Sequence, residues 1–156
     1  MLLGVISCEK SPSGPSSGTG EQVARPFVAR YLEKTRALEK ASNLAWWQAN
    51  LTGKEEDFQA KEKAENALDA VLSDPKAFAE LKSIRDRGGI ADEMLKREID
   101  LIYLKCLEKQ VEPALLQAMV AKSNAVDKQF NTYRAEVGGK RLSENDVRKI
   151  LRESKD

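Results

Sequence analysis

The sequence contains no histidine among its 156 residues. Without an imidazole the chain cannot build a Ser-His-Asp or Cys-His nucleophile, and it lacks the side chain that normally transfers protons near neutral pH. It has only two cysteines, Cys8 and Cys106, which are too few for a thiolate-rich zinc site. The chain is therefore not expected to carry a self-contained active site.

An excess of charge of either sign is also missing. The 26 Lys and Arg residues nearly balance the 25 Asp and Glu residues, so the net charge is +1. Because the two signs are interspersed, charge gives no reason to expect nucleic acid or an acidic membrane surface as a partner. No apolar run is long enough to predict a transmembrane helix. Length and composition instead predict one globular domain with a core of its own.

The first twenty residues differ in composition from the rest. Residues 11–20 are Ser, Pro, Gly and Thr only, which predicts a linker that buries nothing. Before it, Val5-Ile6-Ser7-Cys8 resembles the lipobox of bacterial lipoproteins, in which the cysteine is acylated and becomes the new N-terminus. This resemblance implies lipid attachment at Cys8 and a location in the bacterial cell envelope, periplasmic or extracellular. The alternative is an N-terminal segment without structure, in which the cysteine occurs by chance.

Residues 21–156 predict an all-α domain of five to six antiparallel-packed helices, with one short β-hairpin near residues 133–142. Apolar residues recur there at helical spacing, and helix-start signals separate the segments. The predicted starts are Pro26, Thr52, Asp74-Pro75, Asp92, Pro113 and Ser143. At Thr52-Gly53-Lys54-Glu55 the signal has the form of a capping box. Gly88-Gly89 is typical of a helix end.

Two of these helices have a distinct apolar stripe that predicts their buried face. In the fourth helix the stripe is Leu95, Ile99, Ile102 and Cys106, so Cys106 is expected to be a buried, unreactive thiol. In the fifth helix the predicted inner stripe is Leu116, Met119, Val120, Ser123, Val126 and Phe130.

After the fifth helix the periodicity changes. Tyr133, Ala135 and Val137 alternate with polar residues, and Gly138-Gly139 follows, which together favour a hairpin with a two-residue turn. The alternative is a helix that continues to Val137 and ends at the glycines.

The adjacent tryptophans Trp46 and Trp47 are the most distinctive feature. Neighbours on a helix point about 100° apart, so one core-facing stripe does not easily accept both indoles. Either one ring packs in the core while the other seals against the next helix, or one ring lines a groove.

The segment around these tryptophans, FVARYLEKTRALEKASNLAWWQANLTGKEEDF, is similar to the first helix and following turn of the angiotensin-converting-enzyme-like peptidyl-dipeptidases, which are zinc metallopeptidases. That first segment is most similar to the bacterial relatives in the family. The segment from Leu107 to Asp156 resembles the fifth helix, the small hairpin and the next helix start of the same family. In the family these helices form a lid over a deep cleft. The resemblance thus implies that Trp46, Trp47, Gln48 and Asn50 lie near the cleft wall.

The same resemblance sets the functional expectation. The family binds zinc through a His-Glu-x-x-His motif, which this chain lacks, so no catalytic or metal-binding residue is carried over and the chain is expected to be inactive by itself. It is expected to be a fragment that acts with the remainder of the peptidase fold or with a peptide substrate. The alternative is a non-enzymatic envelope lipoprotein that binds a partner through its helices. In both cases membrane contact is through the lipid anchor only, and nucleic acid is not expected.

Overall fold

The structure, a computed structural model, describes residues 19–155 and confirms an all-α fold with one short hairpin. The hairpin stands between the fifth and the sixth helix of these described residues. The elements in chain order are α1 (Thr19–Thr52), α2 (Glu55–Leu72), α3 (Pro75–Arg87), α4 (Glu93–Leu107), α5 (Pro113–Thr132), β1 (Ala135–Val137), β2 (Lys140–Leu142) and α6 (Glu144–Glu153). No helix in this part of the chain is both long and apolar enough to cross a membrane.

Helix α1 starts earlier than the sequence predicts. Pro26 does not open it but lies inside it, seven residues after Thr19. An internal proline removes one backbone hydrogen bond and normally costs about 3 kcal/mol. Here the preceding turn is held from outside, because the Glu21 carboxylate accepts hydrogen bonds from the backbone N–H groups of Ala91 and Asp92 at 3.1 and 2.9 Å. The contact with the start of α4 therefore extends the helix beyond its local signal.

Most of the other predicted helix starts are confirmed. Asp74 and Asp92 cap α3 and α4 with their carboxylates, and Pro75 and Pro113 occupy first-turn positions of α3 and α5. Ser143 forms a capping box with Asp146 at the start of α6.

The predicted capping box at Thr52 is wrong. Thr52 is the last residue of α1, and Lys54 is the N-cap of α2 without a side-chain cap. Gly53 adopts a positive φ of 67° between the two helices, a conformation that glycine accepts without strain. The Thr52 hydroxyl is 2.5 Å from an Asp57 carboxylate oxygen, so it bridges the two helices instead of capping one.

The hydrophobic core lies between the first half of α1 and helices α2, α3 and α4. Its buried members are Ala24, Phe27, Val28, Leu72, Leu81, Ile84, Leu95, Ile99, Ile102 and Cys106. The predicted inner stripe of α4 is thus confirmed in full, including the burial of Cys106. Burial raises the pKa of the Cys106 thiol, which keeps it in the unreactive protonated form.

Helix α5 lies outside this core and packs mainly on α2, with a smaller contact to α1. Its buried residues are Leu116, Val120 and Asn124. Met119, Val126 and Phe130 are exposed, and so is Ser123, so the predicted inner stripe is correct only at Leu116 and Val120. Helix α5 packs on α2 through the face next to the predicted one, because that face carries the hydrogen-bond acceptors for a buried side chain of α2.

The hairpin is confirmed, and the continued helix is excluded. Ala135 pairs with Leu142 and Val137 with Lys140 in an antiparallel ribbon. Gly138 and Gly139 both have positive φ, 59° and 75°, as a two-residue turn of this kind requires. Leu142 is buried, whereas α6 beyond it has no buried residue.

Candidate functional site

The two tryptophans lie on the second half of α1, and neither is in the core. Trp46 is 48% exposed and Trp47 is 62% exposed. Leu44, Trp47 and Leu51, all exposed, follow the i, i+3, i+7 spacing of one helical face; we call them the tryptophan face. The interpretation that one indole packs in the core is wrong, because the buried side of this segment is occupied by the small Ala49.

Gln48 and Asn50, the other predicted cleft residues, differ from each other. Gln48 is exposed. Asn50 is half-buried, and its side-chain oxygen accepts a hydrogen bond from the Asn131 amide at 2.6 Å. Its own amide nitrogen donates to the carbonyl oxygen of Trp46 at 2.7 Å. Asn50 therefore ties the end of α1 to the end of α5, and its polar atoms are already engaged.

A second exposed apolar surface runs along α5. Leu115, Met119, Val126 and Phe130 are all more than half exposed and recur at spacings of four and seven residues; we call them the α5 outer stripe. Phe130, at 79%, is the most exposed of them. Large apolar side chains placed in register on one face are uncommon on the free surface of a monomer and usually mark a contact surface.

The end of the α5 outer stripe opens into a groove between α5, the hairpin and the start of α6. The groove has a volume of about 800 Å³, and its apolar lining comes from Val126, Phe130, Tyr133, Leu142 and Val147. The amphipathic helix α6 forms one wall, and beyond the groove Ile150 and Leu151 are left exposed. A groove of this size and composition has the character of a recognition surface.

A buried charged cluster joins α2 to α5, and sequence reasoning missed it. The Lys61 ammonium lies 2.9 Å from Asn124 Oδ1, 2.9 Å from Asp127 Oδ2 and 3.1 Å from Glu65 Oε1. The Asn124 amide donates in turn to Glu65 at 2.6 Å and to the Val120 carbonyl oxygen at 3.0 Å. The sequence does contain a signal for the burial of Lys61, because Lys61 shares a helical face with the apolar Phe58 and Leu72, which are both buried. We call Lys61, Glu65, Asn124 and Asp127 the lysine cluster.

The lysine cluster explains which face of α5 is buried. The Lys61 ammonium donates hydrogen bonds to Asn124 and Asp127 and forms an ion pair with Glu65, and such pairing is the condition for burying a lysine. Asn124 and Asp127 lie on the same face as Leu116 and Val120, so satisfying Lys61 turns that face toward α2. The α5 outer stripe is thereby left without a partner within the described residues.

Nothing in the described part of the chain has the composition of a metal site. Residues 19–155 contain no group of three or more Cys, His, Asp or Glu side chains placed to hold an ion. With no histidine in the chain, the residues present do not fit the zinc that the family resemblance implies. Cys8, the predicted lipid attachment residue, lies outside the described residues.

Comparison of the chain with protein-family models, curated proteins and solved structures gave no match. The resemblance to peptidyl-dipeptidases therefore stays a prediction from the residues quoted above.

Proposed function

We propose that this chain is the N-terminal lid and substrate-cleft region of a zinc metallopeptidase of the peptidyl-dipeptidase kind, attached to a bacterial envelope through Cys8. The observation that carries the proposal is the exposed apolar surface, made of the tryptophan face, the α5 outer stripe and the groove beside α6. A self-sufficient domain of this size has enough chain to bury such residues. Their exposure supports a role in which other residues cover them.

In this role the chain supplies surface and not chemistry. The full-length relative would use zinc to polarise the scissile carbonyl and to activate water. The helices described here would shape access to that centre, and the half-exposed tryptophans would contact the other half of the enzyme or its peptide substrate. The purified 156-residue chain is expected to have no peptidase activity, so robust cleavage that a chelator abolishes would contradict the proposal.

The gene provides the most direct test. A reading frame that continues past Asp156 into a His-Glu-x-x-His motif is the expected result. A stop codon at that point, with no such frame nearby, would contradict the peptidase proposal and favour the alternative below.

A protein test examines the exposed surface itself. The full chain should bind a hydrophobic dye and self-associate, and the double variant Val126→Ser/Phe130→Ser should lose much of both effects. Because both side chains are exposed, the variant should unfold at nearly the same urea concentration as the parent. Lys122→Ser, an exposed position of the same helix, is the matched control. A parent chain that is a dye-silent monomer would contradict the proposal.

One observation favours a second candidate, a non-enzymatic envelope lipoprotein that binds a partner through its helices. The core between α1 and α4 is continuous and closed by its own charged contacts, including Arg25–Asp92 at 2.8 Å. A stand-alone module needs such a core, whereas a lid can rely on its neighbour. An isolated chain that is monomeric and unfolds cooperatively in urea, together with the stop codon described above, would select this candidate.

A further inference from the structure

Helix α4 carries a second row of side chains on the side away from its core stripe. Three apolar members of this row, Met94, Leu101 and Leu104, are each more than half exposed. Glu108, the C-cap of α4, still has helical backbone angles and continues the row. The row as a whole, which we call the α4 seam, consists of Met94, Arg97, Leu101, Leu104 and Glu108. Its alternating spacings of three and four residues are typical of the contact line between two paired helices.

The two charged residues of the α4 seam are accessible to a partner. Arg97 is exposed and has no hydrogen-bond or ion-pair partner in residues 19–155. The Glu108 carboxylate lies 3.4 Å from the Lys109 ammonium, but its side chain is 65% exposed. The neighbouring charged residues that flank the seam are engaged within the chain, in the pairs Lys105–Glu39 and Arg85–Asp100. The seam therefore presents one cation and one anion on either side of two leucines.

This arrangement is complementary to a reversed copy of itself. About a two-fold axis midway between Leu101 and Leu104, each of these leucines faces the other leucine of the second copy. Arg97 and Glu108 are equidistant from the same axis, so Arg97 of one copy lies level with Glu108 of the other. The symmetry forms this contact twice. A parallel pair would instead place like charges against each other at both positions, which disfavours it.

We infer that the α4 seam is a contact between two copies of this chain, which pair antiparallel about that axis. Met94 of each copy covers Val111 of the other, since these two residues are also equidistant from the axis and both are exposed. The seam is about 21 Å long. A contact between two helices of that length buries less than about 1,200 Å², which is typical of weak, transient association. The expected dissociation constant is therefore on the order of 0.1 mM.

The inference does not depend on the proposed function. The α4 seam shares no residue with the tryptophan face, the α5 outer stripe or the groove beside α6. The experiment uses the full 156-residue chain with Val126→Ser/Phe130→Ser, so that association through the α5 outer stripe is removed. A reducing agent is present, because a disulfide at Cys8 would also join two chains. Sedimentation equilibrium from about 10 µM to about 1 mM should show a monomer that becomes a dimer. A chain that stays monomeric over this range would overturn the inference.

Exchange of the seam charges tests the direction of the pairing. Arg97→Glu and Glu108→Arg should each weaken the dimer by at least about tenfold, because each places like charges together at both contacts. In an equal mixture of the two variants, one copy carries two carboxylates and the other two guanidinium groups. Both contacts are then attractive, so the mixture should dimerise within about threefold of the parent affinity.

Lys96→Glu is the matched control for this exchange, since the residue is exposed, lies beside Arg97 but off the seam, and undergoes the same change of charge. It should leave the dimer unchanged. Single variants that weaken the dimer no more than this control would overturn the inference. So would a mixture that stays monomeric, because a non-specific apolar contact does not distinguish the mixture from its components.

A final variant tests the apolar centre of the contact. Leu101→Ser/Leu104→Ser removes both leucines and should leave the chain monomeric up to about 1 mM. Because both side chains are exposed, circular dichroism should show the helix content of the parent. A dimer that persists in this variant would overturn the inference. If the variant does not fold, the charge exchange decides, since it changes only exposed residues.

Discussion

Replacement of Lys61 by methionine tests the lysine cluster most directly. The Lys61 side chain is only 2% exposed, whereas the Glu65 and Asp127 side chains keep 27% and 39% of their exposure. Methionine fills nearly the same volume without the charge, so the substitution leaves two carboxylates and the Asn124 oxygen without their cation. The change thus isolates electrostatics and hydrogen bonding from the loss of packing.

The expected loss follows from these exposures. Removing one partner of a buried ion pair costs about 3–5 kcal/mol, most of it from the uncompensated charge that remains. Because both carboxylates here are partly hydrated, we expect the lower end of that range, about 3 kcal/mol. For a chain of this length that corresponds to a fall of about 6–12 °C in melting temperature.

Urea denaturation, monitored by circular dichroism, measures this loss as a change in transition midpoint at constant slope. Lys63→Met is the matched control, since it lies two residues away on the same helix and is exposed, and it should change the free energy of unfolding by less than about 0.5 kcal/mol. The double variant Lys61→Met/Asp127→Asn should cost less than the sum of its single variants, because the second change removes a carboxylate left unpaired. Equal effects of Lys61→Met and Lys63→Met would refute the cluster as a stabilising contact.

Three further predictions concern a close backbone contact, a surface carboxylate and a buried thiol. Gly20→Ala should lower the free energy of unfolding, measured with urea, by about 1–3 kcal/mol, because a Cβ atom there would lie 2.1 Å from the backbone oxygen of Gly88. Gln22→Ala, at an exposed position, should leave it unchanged. The Leu95 backbone N–H and the Arg25 guanidinium hold the pKa of Asp92 below its ordinary value. The stabilising effect of Asp92 is therefore complete above about pH 4 and is lost as the pH falls through the lowered pKa. Asp92→Asn should flatten this part of the acid unfolding curve, and an unchanged curve would contradict the assignment. In a Cys8→Ser chain, alkylation of Cys106 should be slow at pH 8 and fast in urea, because burial both covers the thiol and raises its pKa; equal rates would show that the site opens readily.

Local signals predicted most element boundaries well. Asp74, Asp92 and Ser143 cap helices because a short polar side chain reaches the free N–H groups of its own first turn, a contact that needs no distant residue. Gly138-Gly139 forms the hairpin turn for a similarly local reason. Pro26 shows the limit of such signals, since the contact of Glu21 with the start of α4 allows α1 to begin ahead of the proline.

The amphipathic pattern predicted the whole buried face of α4 but only part of the buried face of α5. In α4 the stripe that ends at Cys106 is buried as its spacing predicts. In α5 two apolar faces lie side by side, one with Leu116 and Val120 and one with Met119 and Phe130, and spacing alone does not rank them. The partner decides, because Lys61 on α2 requires the acceptors that accompany Leu116 and Val120.

The sequence by itself determined the all-α class, most of the helix boundaries and the absence of a histidine-based active site, since each depends on residue type and near neighbours. Only the tertiary structure decided which sides of α1 and α5 remain exposed, that Asn50 joins two helix ends, and that Lys61 is buried among acceptors from α5. These outcomes depend on pairing between residues far apart in the chain. A buried group needs its partner within hydrogen-bond distance, and no local pattern specifies which distant segment will supply it.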